Sequence, residues 1–396
     1  MFGVVAKKHK RAVVEERAAL SFGDPALAEY LGFGTATYSG VSVNEQSSLG
    51  LTAVYRAVAL ISGTIGGLPL KSYRTDSDGM KERVPSFLDN PAGPDSHSPF
   101  EWVELVLVHL LLHGNAFLRH RYNAAGAIIG LEVIHPSAVT VKRVEEEWGK
   151  EFTLLLSNGE REVLTPLDLT HIPALGTDGL LGLAPITACR QAIGTGLAGD
   201  QAAARMFGSS LLLGGIVSVA GVTKDQAEEI KAGLQAKLAG VHHAGDVAVV
   251  NKELTFQPWS MSAEDAQFIE TRVHQVEEVA RIFGVPPHLL GQTEKQTSWG
   301  TGVSEQNRGL ARYTLAPWTT RLEQRLSRLL TRPVSCEFDY AGLLQPSAEE
   351  EIRLLLEQIA GGLITVDEAR RIRNMPPLPA AEAEPEPEEV PDASQS

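Results

Sequence analysis

Residues 262–287 read SAEDAQFIETRVHQVEEVARIFGVPP, and the rest of the chain organises around them. Ile269, Val273, Val276, Ala280 and Phe283 recur at alternating steps of four and three, which lines them up as one narrow apolar seam on a long helix. The opposite face carries Glu270, Glu277, Glu278 and Arg281, and Gly284 with Pro286-Pro287 ends the helix. From Glu264 to Gly284 five acidic residues face two arginines. A narrow seam on a long acidic helix suits packing against a few partner helices.

An earlier stretch has the matching character. Leu183 to Phe207 is helical in outline and crowded with Ala and Gly, which allow neighbouring helices close approach. Met206 to Thr223 then runs 18 residues without a charge, near the lower limit for crossing a bilayer. Its four glycines and late β-branched residues read instead as a helix end running into a buried strand, so no membrane is expected. Thr223 and Gln226 form a capping box for a further helix, and DVAVV and LTFQPW, around Asn251-Lys252, are strands of a small α/β insert.

The region before these helices is α+β. Ser47 or Ser48 is placed to cap a helix whose stripe is Leu51, Val54, Val58, Ile61 and Ile65, stopped by Gly66-Gly67 and Pro69 before the strand LPLKSYR. Ser98, Pro99 and Glu101 open a second helix to Gly114, with Phe100, Val103, Leu107 and Leu110 inward. AFLRHRY turns through Asn123–Gly126 into AIIGLEVIH, and FTLLL and EREVL flank the turn at Ser157-Asn158-Gly159. After the polar loop Gly291–Gly302 (GQTEKQTSWGTG), a helix from Ser304 to Leu330 should kink or break near Pro317, and VSCEFDY is strand-like. Capping boxes at Ser347–Glu350 and Thr365–Glu368 open two short helices separated by Gly361-Gly362.

The 396 residues suggest two or three folding units at about 150 residues each. With 35 basic against 49 acidic residues, the net charge of −14 argues against a protein that coats nucleic acid by neutralising it. Lys7, Lys8, Lys10 and Arg11 form a small basic cluster in a flexible N-terminal arm, and MFGVVAKKHK lacks the order of a secretory signal. Residues 379–396 hold six acids, no base and repeated proline, a disordered composition. Cys189 and Cys336 alone cannot frame a disulfide scaffold, so a reducing compartment is expected.

No catalytic constellation emerges: there is no P-loop, dinucleotide fingerprint or nucleophile elbow. His109 and His113 have zinc-compatible spacing, but position 110 is Leu110, so the metalloprotease pattern fails and His109 reads as an interfacial histidine. His242-His243 with Asp246 reads as a solvated loop. The expectation is therefore no enzyme, no cofactor and no metal. Two rival readings stand beside it: a metal-dependent soluble hydrolase using those histidines, and an interaction scaffold of low oligomeric order.

The ordered set of motifs resembles the HK97-type portal proteins of tailed bacteriophages, from about Ser47 to Pro377. LTAVYRAVALISGTIGGLPLKSY, HGNAFLRHRYNAAGAIIGLEVIHPSAV and DGLLGLAPITACRQAI carry the first half. DAQFIETR, VARIFGVPPHLLG, SEQN, TLAPWTTRLE and LITVDEARRIRNMPPLP carry the second, while GQTEKQTSWGTG departs from the family pattern.

The resemblance implies an α+β portal fold assembled as a ring, commonly of twelve copies, at a capsid vertex of the virion, built in the host cytoplasm. It assigns residues 1–46 to the arm, 47–177 to an α+β wing, 178–210 to the first stem helix and 211–262 to the clip. Residues 263–285 become the second stem helix, 286–303 the tunnel-loop region, 304–345 a long helix and strand between wing and crown, 346–378 the crown helices and 379–396 the tail. It implies double-stranded DNA passing non-specifically during packaging and ejection. The implied partners are the terminase large subunit, major capsid and scaffold proteins, and head-completion adaptors.

Lys295, Trp299, Glu270 and Glu277 are then channel candidates, with Trp299 open to the alternative of anchoring its loop. Lys224, Lys231, Lys237 and Lys252 are the terminase or adaptor candidates on the clip. An acidic or neutral wall suits sliding DNA, because a cationic one would hold phosphates. Periodicity leaves open whether the two stem helices pack within one monomer or between subunits.

Overall fold

The computed structural model describes residues 37–93, 96–144, 149–208, 215–218, 223, 226, 228, 255–258, 263–292, 308–344 and 348–378. The chain divides into two units, residues 1–339 and 340–396.

In the first unit, α1 (Glu45–Leu49) is capped by Asn44, whose side chain accepts from Ser47 N while Ser47 Oγ accepts from Asn44 N. Ser47 therefore closes a capping box one short helix earlier than its sequence position suggested. The next helix, α2 (Thr52–Gly66), starts at Leu51 with no side-chain cap, and Ser48 is buried instead. Leu51, Val54, Val58, Ile61 and Ile65 are all buried, as the stripe predicts. Then come β1 (Leu70–Thr75) and β2 (Lys81–Arg83).

Helix α3 (Pro99–His113) has the expected box: Ser98 Oγ accepts from Glu101 N, and Glu101 accepts from Ser98 N at 2.8 Å. Val103, Leu107 and Leu110 are inside, but Phe100 is exposed. A residue in the first turn leans beyond the helix end, and here the Phe100 ring covers Gly66, where an added Cβ would lie 3.3 Å from it. The buried face is broader than the stripe, adding Trp102, Val106, Leu111 and Leu112.

Strands β3 (Asn115–Tyr122) and β4 (Ile128–Ile134) form the expected hairpin, and β8 (Leu169–Pro173) pairs on the other edge of β3. A second sheet holds β5 (Val139–Val144), β6 (Gly149–Leu155) and β7 (Arg161–Leu164), with Gly159 at φ +82° in the β6–β7 turn. Phe117 and Leu169 from the first sheet meet Val141, Phe152, Leu154 and Leu164 from the second in one apolar cluster.

Next lie α4 (Pro185–Ala188) and α5 (Arg190–Gly208), so Leu183–Phe207 is two helices with a break at Cys189. The charge-free stretch ends α5 and enters β9 (Gly215–Ser218), which pairs antiparallel with β10 (Thr255–Pro258). Thr223 N donates to Gln226 Oε1 at 3.3 Å, one half of the capping box. DVAVV lies outside the described residues. No helix among the described residues is long and apolar enough to cross a membrane.

Helix α6 (Ala263–Phe283) is the quoted helix. The expected interruption near Pro317 is a π-helical turn over residues 310–315 that leads into α7 (Ala316–Leu326), while Ser304 lies outside the described residues. The wider turn accommodates a residue with no N–H and a ring that would crowd the carbonyl four residues back. Strand β11 (Val334–Phe338) returns to pair with β1, from Leu70 opposite Phe338 to Arg74 opposite Val334. Both cysteines are free, and burial pushes the Cys336 thiol up to about 11.

In the second unit, α8 (Ala348–Ala360) and α9 (Val366–Ile372) are joined through Gly362 at φ +70°. Thr365 and Glu368 make the predicted box; Ser347 lies outside the described residues.

Candidate functional site

The first α+β body meets the paired helices at Gly114-Asn115. Helix α3 ends on Gly114 in the left-handed conformation, φ +70°. A Cβ there would lie 2.4 Å from the backbone of Leu183, so only glycine fits. Asn115 is buried and fills all four of its hydrogen-bond positions. Its Nδ2 donates to His113 O and Gly182 O at 3.0 and 2.9 Å; its Oδ1 accepts from Gly182 N at 2.8 Å and contacts His171 Nε2 at 2.9 Å. The residues that lead into α4 and α5 are thus pinned to the end of α3 and to β8. Asn115 is a positioning residue that the sequence reading quoted inside a motif without giving it a role.

Helices α5 and α6 pack together within the one chain. Arg272 Nη2 meets Asp200 Oδ1 at 2.9 Å. A Cβ on Gly196 would run into Gln275, so the small residue buys close approach of the two helices here. Ile193 and Ala203 of α5 and Val279, Ala280 and Phe283 of α6 are buried, whereas Val273 and Val276 are half-buried. The seam is satisfied at its C-terminal end. Two long-range bonds fasten the segment that follows the helix: Gln292 Nε2 donates back to Val273 O at 3.2 Å and Arg56 Nε to Leu289 O at 3.3 Å. Thr314 Oγ1 also donates to Gly284 O.

Of the channel candidates, Glu277 is half-buried, with its carboxylate 3.7 Å from Arg281 Nη2. Arg281 also donates to Glu278 at 2.8 Å, so one guanidinium offsets two carboxylates on this turn. Glu270 lies within α6, but its side chain, like Lys295 and Trp299, is outside the described residues. So are Lys224, Lys231, Lys237 and Lys252, and the His242-His243 pair.

A second assembly appears where sequence reading had only His109 and His113. The last turns of α3 bring these rings within 6.1 Å, and His135, just after β4, stands 4.9 Å from His113 and 5.2 Å from His109. Glu45 of α1 completes the group: its Oε2 is 3.0 Å from His113 Nε2 and 3.8 Å from His135 Nε2. His109 is buried, and its Nδ1 meets no hydrogen-bond partner. Burial, reinforced by His135 and His113, lowers its pKa to about 4 and keeps the ring neutral. Glu45 is 64 positions from His109 in sequence, too far for spacing to reveal.

Comparison with known proteins decides the family. Residues 52–374 match the profile of the phage portal proteins, across both halves of the motif set and the helices between them. The chain belongs to the phage portal protein family, HK97 type. A relative in this family, the probable portal protein of Streptomyces phage phiC31, is 32% identical over 372 residues, which cover 90% of this chain and 80% of that protein. The portal protein of Enterobacteria phage HK97 is 29% identical over 356 residues, covering 86% and 82%. Among solved structures, an HK97-family phage portal protein from Corynebacterium diphtheriae superposes with a TM-score of 0.57 at 21% identity, covering 78% of this chain and 100% of the other. The neck of an empty gene transfer agent particle gives a TM-score of 0.58 at 22% identity, covering 88% and 98%. The α+β portal fold is therefore that of this portal-family chain.

Proposed function

We propose that copies of this chain close into a ring at one capsid vertex of a virion, commonly of twelve, and give double-stranded DNA its passage during packaging and ejection. The observation that carries this reading is the family match through residues 52–374, which spans the body, both paired helices and the C-terminal helical end. In that ring α5 and α6 line the channel as stem helices, residues 211–262 form the clip that meets terminase and later the head-completion proteins, and the particle assembles in the host cytoplasm with capsid and scaffold proteins.

The local physics supports it. Ring symmetry turns each charge into a band, and α6 carries five acids against two arginines, a wall that does not grip phosphate. The pairing of Glu277 and Glu278 with Arg281 softens that band toward neutrality at one level. Large apolar side chains stand uncovered in the single chain: Tyr313 on the π-helical turn is 76% exposed and Leu175, in the segment before α4, is 71% exposed. Contact with neighbouring copies would cover them. Lys295 would form a ring of phosphate contacts and Trp299 a steric or stacking element; Lys224, Lys231, Lys237 and Lys252 would meet acidic surfaces of the docking partners.

Light scattering on the purified chain tests the assembly, with a mass near twelve subunits expected and a stable monomer or dimer contradicting it. Packaging assays with Lys295→Ala and Trp299→Ala test the loop. Each should lower packaged DNA, and wild-type efficiency in both would remove the contact role.

A further inference from the structure

We propose that Glu45, His113 and His135 form a site for a divalent transition-metal ion of the zinc type. The three donor atoms all lie within 4.8 Å of one another, one from each side chain. Two of the separations, 3.0 and 3.8 Å, bracket the roughly 3.3 Å between ligands of a tetrahedral zinc with bonds of about 2.0–2.1 Å. Two imidazole nitrogens and one carboxylate are a zinc donor set with an open fourth position for water.

Two further observations point the same way. Both Nε2 atoms converge on a single oxygen, Glu45 Oε2. His135 Nδ1 is 2.7 Å from Ser137 Oγ. Ser137 N also donates to His135 Nδ1 at 3.3 Å, so the turn that follows β4 fixes the ring with its Nε2 edge toward Glu45. His109, buried and with its ring 5.2 Å from that of His135, walls the inner side.

The ion would join α1, the end of α3 and the exit of β4, three segments that are separate in sequence. All three donors come from one chain, so the assignment does not depend on ring closure. His135 is exposed and Glu45 half-exposed, which leaves a path for the ion and allows substitution without opening the core.

The test is calorimetric titration of ZnCl2 into the chelator-treated full-length chain, repeated with CoCl2 while following visible absorption. Expected are saturable binding near one ion per chain and the intense bands of tetrahedral cobalt. Glu45→Ala and His135→Gln should each weaken zinc by at least about 10-fold and remove those bands, with circular dichroism unchanged. His113→Gln should do the same. No saturable binding in the wild type, or binding of equal strength in Glu45→Ala and His135→Gln, which would place the ion at other histidines, overturns the assignment.

Discussion

The α2–α3 interface and the α5–α6 interface solve the same packing problem by opposite means. Between α2 and α3 the contact is dry: Val54, Ile61, Ile65, Leu107 and Leu110 are fully or almost fully buried, and Gly66 lets the Phe100 ring lie against the helix. Between α5 and α6 the described side chains meet through an ion pair, Arg272 to Asp200, and a glycine over Gln275, with Val279, Ala280 and Phe283 buried in the last turns of α6. The first interface belongs to a body that holds its own shape. The second leaves Val273 and Val276 half-buried. Among the described side chains the body is thus held by apolar burial, and the paired helices by a more polar contact.

The sharpest way to break this contrast is in the dry interface. Leu107→Ala removes a fully buried side chain and should cost about 2–5 kcal/mol, read as a lower urea midpoint. Gly114→Ala acts at the junction, placing a Cβ against Leu183 backbone at φ +70°. It should cost about 2–4 kcal/mol and shift assembly as well, since it disturbs the entry to α4. A loss below 1 kcal/mol would show that the junction is soft.

A pH series sharpens the same picture. His171 is stacked on Phe117, with ring centroids 4.7 Å apart, and burial, with Lys150 and Arg325 adding, lowers its pKa to about 3. The unfolded chain takes up this proton near pH 6.5 and the folded one only near 3. Between those values the unfolded state binds more protons, so stability falls as pH drops from about 6.5 toward 3, then levels off. His171→Gln should flatten that slope, while the unsubstituted Asn115 keeps a hydrogen-bonding partner.

Effects in the second interface should be smaller. Gly196→Ala meets only the far end of Gln275, which can swing aside, and gains helix propensity. Its midpoint should move by less than about 1 kcal/mol, and any defect should appear in assembly. Arg272→Ala breaks a half-exposed pair and should cost about 0–1 kcal/mol, decreasing further in high salt. If either substitution matched Leu107→Ala, the contrast between the two interfaces would fail.

What the sequence revealed was whatever rests on local chemistry. The capping boxes at Ser98 and Thr365, the hairpin at Asn158-Gly159 and the stripe through Ile61 and Ile65 are each written within a few residues. Long-range pairing was not legible. Nothing in VSCEFDY names β1 as its partner, some 260 positions earlier, because any half-buried strand could fill that edge. Asn115 could not be recognised as a hub until Gly182 and His171 were beside it. Likewise His113 looked ordinary because the missing carboxylate comes from α1 and the second imidazole from the end of β4. Phe100 failed the stripe for a simpler reason, since periodicity says nothing about which helix end a side chain overhangs.

An electron cryomicroscopy map of the purified, assembled chain tests the proposed ring most directly. A closed ring is expected, its axial hole wide enough for a duplex, with α5 and α6 around it and walls that are acidic to neutral. A particle solid along its axis, or a bore lined mainly by lysine and arginine, would contradict it.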